Sequence, residues 1–364
     1  MPGTIVVPAF CVQAPMSDFR SAIWPALAAA ALFGGSTPLV KMLVGELPAL
    51  LLAGLLYLGS GLGLAAIRLL RDRGWRASGL AADEWRWFGA AIVFGGLLGP
   101  VLLVFGLTRI GAGTASLMLN LEAVFTAGLA WIVFKENADR RIVLGMLLIV
   151  AGGAVLAWPS AGSETADGVG LLAIAAACLC WAIDNNLTRR VSGSDALFIA
   201  GIKGLTAGAV NTGLALLLGA AWPAWSAAGA AMTVGFVGYG LSLVLFVRAL
   251  RDLGTARTGA YFSTAPFIGA AIAILLLNEP TPAPFWLAFG LMGAGVWLHL
   301  TERHAHAHTH EPLEHTHQHV HDAHHRHEHD FDWDGKEPHR HPHRHVAITH
   351  KHPHFPDIHH RHGH

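Results

Sequence analysis

The first 298 residues of this 364-residue chain contain no histidine, although the whole chain has 24. Charge is scarce too. Only 13% of residues are Asp, Glu, Lys or Arg, against roughly 25% in an average soluble domain. The 24 Lys and Arg cancel the 24 Asp and Glu. With no basic excess to meet phosphates, nucleic-acid binding is excluded. A neutral chain that is 53% hydrophobic would also dissolve poorly, which speaks against an ordinary cytosolic enzyme. No nucleophile–base set or phosphate loop stands out, so an enzyme is not expected.

Cysteine is nearly absent: Cys11, Cys178 and Cys180. Two residues apart on a helix, Cys178 and Cys180 point about 200° apart and cannot chelate one ion together. They read as small buried apolar residues, and no disulfide framework is implied. The N-terminal segment, residues 1–20, lacks a basic region ahead of an apolar core and does not read as a signal peptide. Met16, directly before the first long apolar run, is an alternative start.

What the chain does have is apolar runs of membrane-crossing length, about 20 residues each. They give ten expected spans: roughly 22–43, 48–69, 87–107, 110–134, 141–158, 168–190, 196–219, 227–249, 255–278 and 283–300. The long stretch 204–247 divides at Trp222, Pro223 and Trp225, residues suited to an interfacial turn. Basic residues alternate between connections. Arg71, Arg73, Arg76 and Arg86 follow span 2; Lys135, Arg140 and Arg141 follow span 4; Arg189 and Arg190 follow span 6; and Arg251 follows span 8. By the positive-inside rule, both termini lie in the cytoplasm of an inner-membrane protein.

The two halves match each other. Residues 106–111 pair with 249–254 at an offset of 143, and so do Glu136 with Glu279, Leu144 with Leu287, and Gly152 with Gly295. Phe33, Gly34 and Lys41 align with Trp181, Ala182 and Arg189 at an offset of 148. Each half holds an odd number of spans, five, so the second copy lies inverted. This is an architecture of secondary transporters, with the site near the midplane.

These features resemble the EamA domains of the drug/metabolite transporter superfamily. The carrying residues are Phe33-Gly34 through Pro38 and Lys41, the segment Gly111–Glu136, Gly145 with Gly152-Gly153, and Ala265-Pro266-Phe267 through Asn278-Glu279. First copies often carry Pro after the acid, where this chain has Ala123; the second copy keeps Pro266. The resemblance covers about residues 20–300. It implies an all-α fold of two repeats, 21–158 and 168–300, and export or exchange of small metabolites.

Ionisable groups at bilayer depth cost at least about 2.5–3.5 kcal/mol and mark functional sites. Glu122 has 12 uncharged residues on each side, and Asn120 lies two before it. Glu122 is a candidate substrate or proton site, or a structural hydrogen-bonding group. Asp184, with Asn185 and Asn186 beside it, and Lys203 lie at equal depth, ~10 Å, on consecutive antiparallel spans, so an ion pair is expected. That pair either neutralises itself or gates a cavity. Asn211 and Tyr261 are candidate lining residues. Lys41, at an outer end, either lines the path or snorkels to the interface.

Beyond residue 300 the apolar pattern stops. The tail, 301–364, cannot build a core and is expected to be disordered. His304, His306, His308 and His310 alternate, then His315, His317, His319 and His321, followed by His324, His325, His327 and His329. His-x-His pairs suit Ni, Co, Zn or Cu, although no fixed structural zinc spacing appears. No cofactor is required.

The leading expectation is a secondary transporter of a small metabolite or toxic compound. The alternative is a divalent transition-metal exporter whose tail gathers or senses metal. A core without intramembrane His or a Cys pair weakens that alternative. A membrane sensor is a third reading, and a homodimer is left open.

Overall fold

A computed structural model describes residues 16–74, 78, 80–134, 140–158, 167–188, 191, 194–253, 255–301, and the backbone of 305–310, 314–319, 339–344 and 348–353. Among the described residues from 16 to 301, every element is helical. The helices are α1 (Met16–Leu43), α2 (Ala49–Asp72), α3 (Trp85–Leu107), α4 (Ala112–Met118), α5 (Leu121–Phe134), α6 (Arg140–Ala157), α7 (Gly168–Thr188), α8 (Ala196–Leu217), α9 (225–253), α10 (Thr255–Phe262), α11 (Ala265–Leu277) and α12 (Ala283–Leu300). Among the described residues, nine helical stretches are long and apolar enough to cross a membrane. The expected ninth span, 255–278, is not a single helix. It is α10 followed by α11, and only the 13-residue α11 is a shorter apolar helix.

Local chemistry explains the break. Pro266 opens α11 and cannot continue α10's hydrogen-bond ladder. The expected fourth span breaks likewise between α4 and α5, where Asn120 Nδ2 donates to Leu117 O within its own turn at 2.9 Å. Both α3 and α9 contain a wider π-helical stretch, Ile92–Leu98 and Phe236–Leu241. Such widened turns free backbone groups and often occur at functional sites.

Two antiparallel helix pairs hold the bundle. Gly54, Gly61 and Gly208 seat α2 against α8, facing Thr212, Leu205 and Leu58 respectively. Gly145 meets Gly295, and Gly152 meets Ala288 and Met292, where α6 crosses α12. Small residues let helix backbones approach where lipid offers no hydrophobic drive. The outer surface is the reverse of a soluble protein's: Leu70, Ile132, Leu172, Leu217 and Leu275 are all strongly exposed. A contiguous apolar surface of this kind belongs in lipid, and the chain is a multi-pass membrane protein.

The tail departs from the expected disorder in part. Its described segments are four strands: β1 (Ala305–His310), β2 (Glu314–His319), β3 (His339–Arg344) and β4 (Ile348–Pro353). β1 pairs antiparallel with β4, and β2 with β3. The alternating His-x-His pattern has the two-residue period of an extended strand, so composition that cannot build a core still permits a paired ribbon.

Candidate functional site

The charged residues at membrane depth meet where α7 crosses α3, α5 and α8. Lys203 Nζ on α8 donates to both Asp184 oxygens, at 2.6 and 2.8 Å, and Thr188 Oγ1 donates to Asp184 Oδ1 at 2.9 Å. Asp184 is only 8% exposed. The ion pair expected from equal depth is therefore formed. On the next residue, about 100° around α7, Asn185 Nδ2 donates to Glu122 Oε1 at 2.8 Å and to Thr126 Oγ1 at 3.4 Å. Asn186 Nδ2 reaches Ala182 O and Thr126 O, while its Oδ1 is buried without a partner. Glu122, Asn185 and Asn186 thus tie α5 to α7. No cation accompanies Glu122 among the described residues.

The π-helical stretch of α3 forms the floor. Tyr57 OH donates to Gly95 O at 2.8 Å, and Trp181 Nε1 donates to the same oxygen at 3.1 Å. Asn211 Nδ2 reaches Leu97 O at 3.3 Å. Side chains from three helices thus satisfy carbonyls that the widened turn releases. Gly95 faces Asp184 so closely that a methyl group there would overlap the carboxylate.

Two segments of the chain, residues 20–158 and 168–301, match the family model described as the EamA-like transporter family. The chain belongs to the EamA-like transporter family. An uncharacterized transporter of Methanothermobacter thermautotrophicus is 26% identical over 263 residues, 68% of this chain and 77% of that one. A probable 4-amino-4-deoxy-L-arabinose-phosphoundecaprenol flippase subunit, ArnE, of Pseudomonas aeruginosa is 41% identical over 113 residues, 30% of this chain and 94% of the subunit. A solved crystal structure 20% identical in sequence shares the fold at a TM-score of 0.58, covering 76% of this chain and 95% of that one. The family is one of transporters rather than enzymes.

In this EamA-like protein the other expected site residues lie apart from the cluster. Lys41 neither snorkels outward nor meets Glu122. Its Nζ donates to Leu107 O at 2.6 Å and Ile110 O at 2.8 Å, using cationic charge on the C-terminal end of α3. Beside it Glu279 accepts from Ala112 N at 2.6 Å and Gly113 N at 2.8 Å, capping α4. Asn120 is buried and reaches only Leu117 O and Met292 Sδ. Tyr261 packs against Ala26 and Ala249. On the loop entering α7, Arg109 pairs with Asp167 at 2.5 Å. That guanidinium, with the Val169 N–H, holds the Asp167 carboxyl below the usual carboxylate range.

His306, His308, His310, His315, His317 and His319 lie on the backbone of β1 and β2. His304, His321, His324, His325, His327 and His329 fall outside the described residues. Among the described residues no group of three or more His, Cys, Asp or Glu is placed to hold a metal ion, and the metal-export alternative finds no support. Sequence reasoning missed Tyr57, Trp181, Thr126 and Glu279. Tyr57 carried a signal, as one of only three tyrosines, placed in the middle of a span. Glu279 carried one in its match to Glu136 at the end of the other half.

Proposed function

We propose that the chain is a secondary transporter that moves a small solute across the inner membrane by alternating access between two inverted five-span halves. Its termini lie in the cytoplasm and its direction is export. Glu122 is the coupling group. One observation carries this reading: the Asn185–Glu122 hydrogen bond joins the two family-matched segments at bilayer depth, beside the Asp184–Lys203 pair.

Three features support the inverted halves. The π-helical stretches Ile92–Leu98 and Phe236–Leu241 fall at nearly the 143-residue offset. So do the breaks between α4 and α5 and between α10 and α11. The Gly145–Gly295 contact maps onto the Gly152–Ala288 contact under the same offset, as a two-fold-related pair must. On this reading α10 and α11 together make the tenth span. The ArnE match favours a second reading, movement of a lipid-linked solute, because one such subunit corresponds to about a third of this chain. The tail's His-x-His pairs bind Ni, Co, Zn or Cu without being part of the path. Equilibrium dialysis of intact and tail-deleted protein tests that, and equal metal uptake by both would end it.

The test of transport compares the solute content of culture medium from cells making the intact protein and Glu122→Gln at equal membrane levels. The expected result is one or more small solutes accumulating outside only with the intact protein. Identical profiles would sink the reading.

A further inference from the structure

Two charged side chains grip one turn at the end of the bundle read above as the outer one. The turn, residues 108–111, joins α3 to α4. Lys41, at the end of α1, donates from Nζ to Leu107 O at 2.6 Å and to Ile110 O at 2.8 Å. Glu279, on the connection from α11 to α12, accepts from Ala112 N at 2.6 Å and from Gly113 N at 2.8 Å. A cation thus meets carbonyls at the end of one helix, and a carboxylate meets N–H groups at the start of the next. Each is the sign that the helix end favours. The carboxylate fits only because the turn lacks side chains. A methyl group on Gly111 would lie 2.7 Å from Glu279 Oε2, and one on Gly113 would lie 3.1 Å from it.

The grip joins two packed groups of helices. In one, α1 lies on α9 and α11, where Gly238 faces Ser36 and Gly34 faces Ala265. In the other, α3 lies on α7, where Gly106 faces Ile174, and the turn itself packs on α7, where Gly170 faces Ile110. Lys41 and Glu279 reach from the first group to the turn held by the second. One helical turn beneath the grip, α4 meets α11 where Ser116 faces Gly269. Ser116 is only 1% exposed, and its hydroxyl has no hydrogen-bond partner among the described residues. Water would satisfy that hydroxyl once the seam between α4 and α11 parted. Around the turn, Leu107, Ala112 and Phe285 are buried, so this end is packed shut. Toward the opposite face the amide of Asn185 is exposed. Lipid cannot solvate an amide, so that side admits water.

Resting on the transporter reading and orientation above, we propose that Lys41 and Glu279 form the outer gate, closed in this inward-open conformation. Opening lifts both side chains off the 108–111 turn, parts α4 from α11 and hydrates Ser116. The hydrogen bonds of the grip bias the equilibrium toward the inward-open state, and removing either charge raises the outward-open population. The Arg109–Asp167 pair holds the same turn from the α7 side, within one group of helices, and stays intact when the gate opens.

The first test is thiol labelling of the full-length protein in right-side-out membrane vesicles, with a charged, impermeant methanethiosulfonate. The reporter is Ser116→Cys in a background of Cys11→Ala, Cys178→Ala and Cys180→Ala. With the gate intact it should label slowly. Glu279→Gln and Lys41→Met should each speed labelling about tenfold, and Arg109→Gln should leave it unchanged. Each variant is first matched to the parent in membrane level and elution profile. The second test replaces the gate by a covalent link. In the same background, Ala112→Cys with Glu279→Cys is joined by a short bis-methanethiosulfonate in cells. Solute accumulation in the medium should stop on cross-linking and return with dithiothreitol, whereas a merely structural cap would leave it running. Unchanged labelling in Glu279→Gln and Lys41→Met, an equal rise in Arg109→Gln, or undiminished accumulation while cross-linked would each overturn the gate. If labelling is unmoved while the intact protein still exports solute, the gate falls and the transporter reading stands. If labelling responds as expected yet no solute leaves the cells, the transporter reading falls and the two-state closure at Lys41 and Glu279 stands.

Discussion

Two crossings in this molecule share a backbone and differ in chemistry. In one, α1 lies against the π-helical stretch of α9 and the start of α11. Gly238 faces Ser36 there, and Gly34 faces the Ala265 carbonyl. In the other, α7 lies against the π-helical stretch of α3 and the start of α5. Gly95 faces Asp184, and Asn185 reaches Glu122. The repeat offsets equate Ser36 with Asp184, Gly238 with Gly95, and Ala265 with Glu122. The same close approach therefore holds a small hydroxyl and a methyl in one half, and two carboxylates in the other. On the proposed inverted repeat these are two equivalent seats, and only the side chains make one of them electrically active.

The comparison breaks most readily at the ion pair. Asp184→Asn alone leaves Lys203 charged, buried and unpaired, at an expected cost of about 3–5 kcal/mol. Adding Lys203→Met should recover most of it, read as melting temperature in detergent. Equal damage in the single and double variants would remove the pairing. Next come Gly95→Ala and Gly238→Ala, which should each cost about 1–3 kcal/mol through overpacking. Only Gly95→Ala, by displacing Asp184, should also reduce solute accumulation in the medium; equal loss in both would erase the functional asymmetry.

Smaller effects sharpen the picture at the periphery. Glu279→Gln weakens the cap on α4 and should cost about 1–2 kcal/mol. Ser36→Ala, which removes the bond to Phe33 O and the hydroxyl that Tyr239 meets, should cost about 1–2 kcal/mol, against the larger loss at its counterpart Asp184. Smallest is the exposed Arg109–Asp167 pair. The Asp167 carboxyl is lowered in the folded protein, so its contribution is present above the ordinary aspartate range and is lost as pH falls through the lowered value. A melting-temperature series from pH 7 to pH 3 should show a shallower decline for Asp167→Asn than for the parent.

Much of the cluster was legible beforehand because depth along a helix can be counted. Asp184 and Lys203 meet because each lies about two turns from the same end of consecutive spans. Glu122 was visible as the lone acid in an apolar run. Its partner was not, because which face of α5 meets α7 depends on the break at Asn120, and that break reorients everything after it. Lys41 shows the opposite failure. Its position near a span's end suggested either the path or the interface, yet the released carbonyls of α3 lie closer than either.

The sequence by itself determined the membrane class, nine span positions to within a few residues, the doubled pattern and the carboxylates at depth. Hydropathy, charge spacing and repeat offsets are properties of the chain read in order. Only the tertiary structure decided which polar groups face each other, because helix rotation, the π-helical stretches and the two mid-span breaks set azimuth rather than depth. It was those rotations that gathered Tyr57, Trp181 and Asn211 onto the carbonyls of α3 and left Glu122 with a neutral amide as its neighbour.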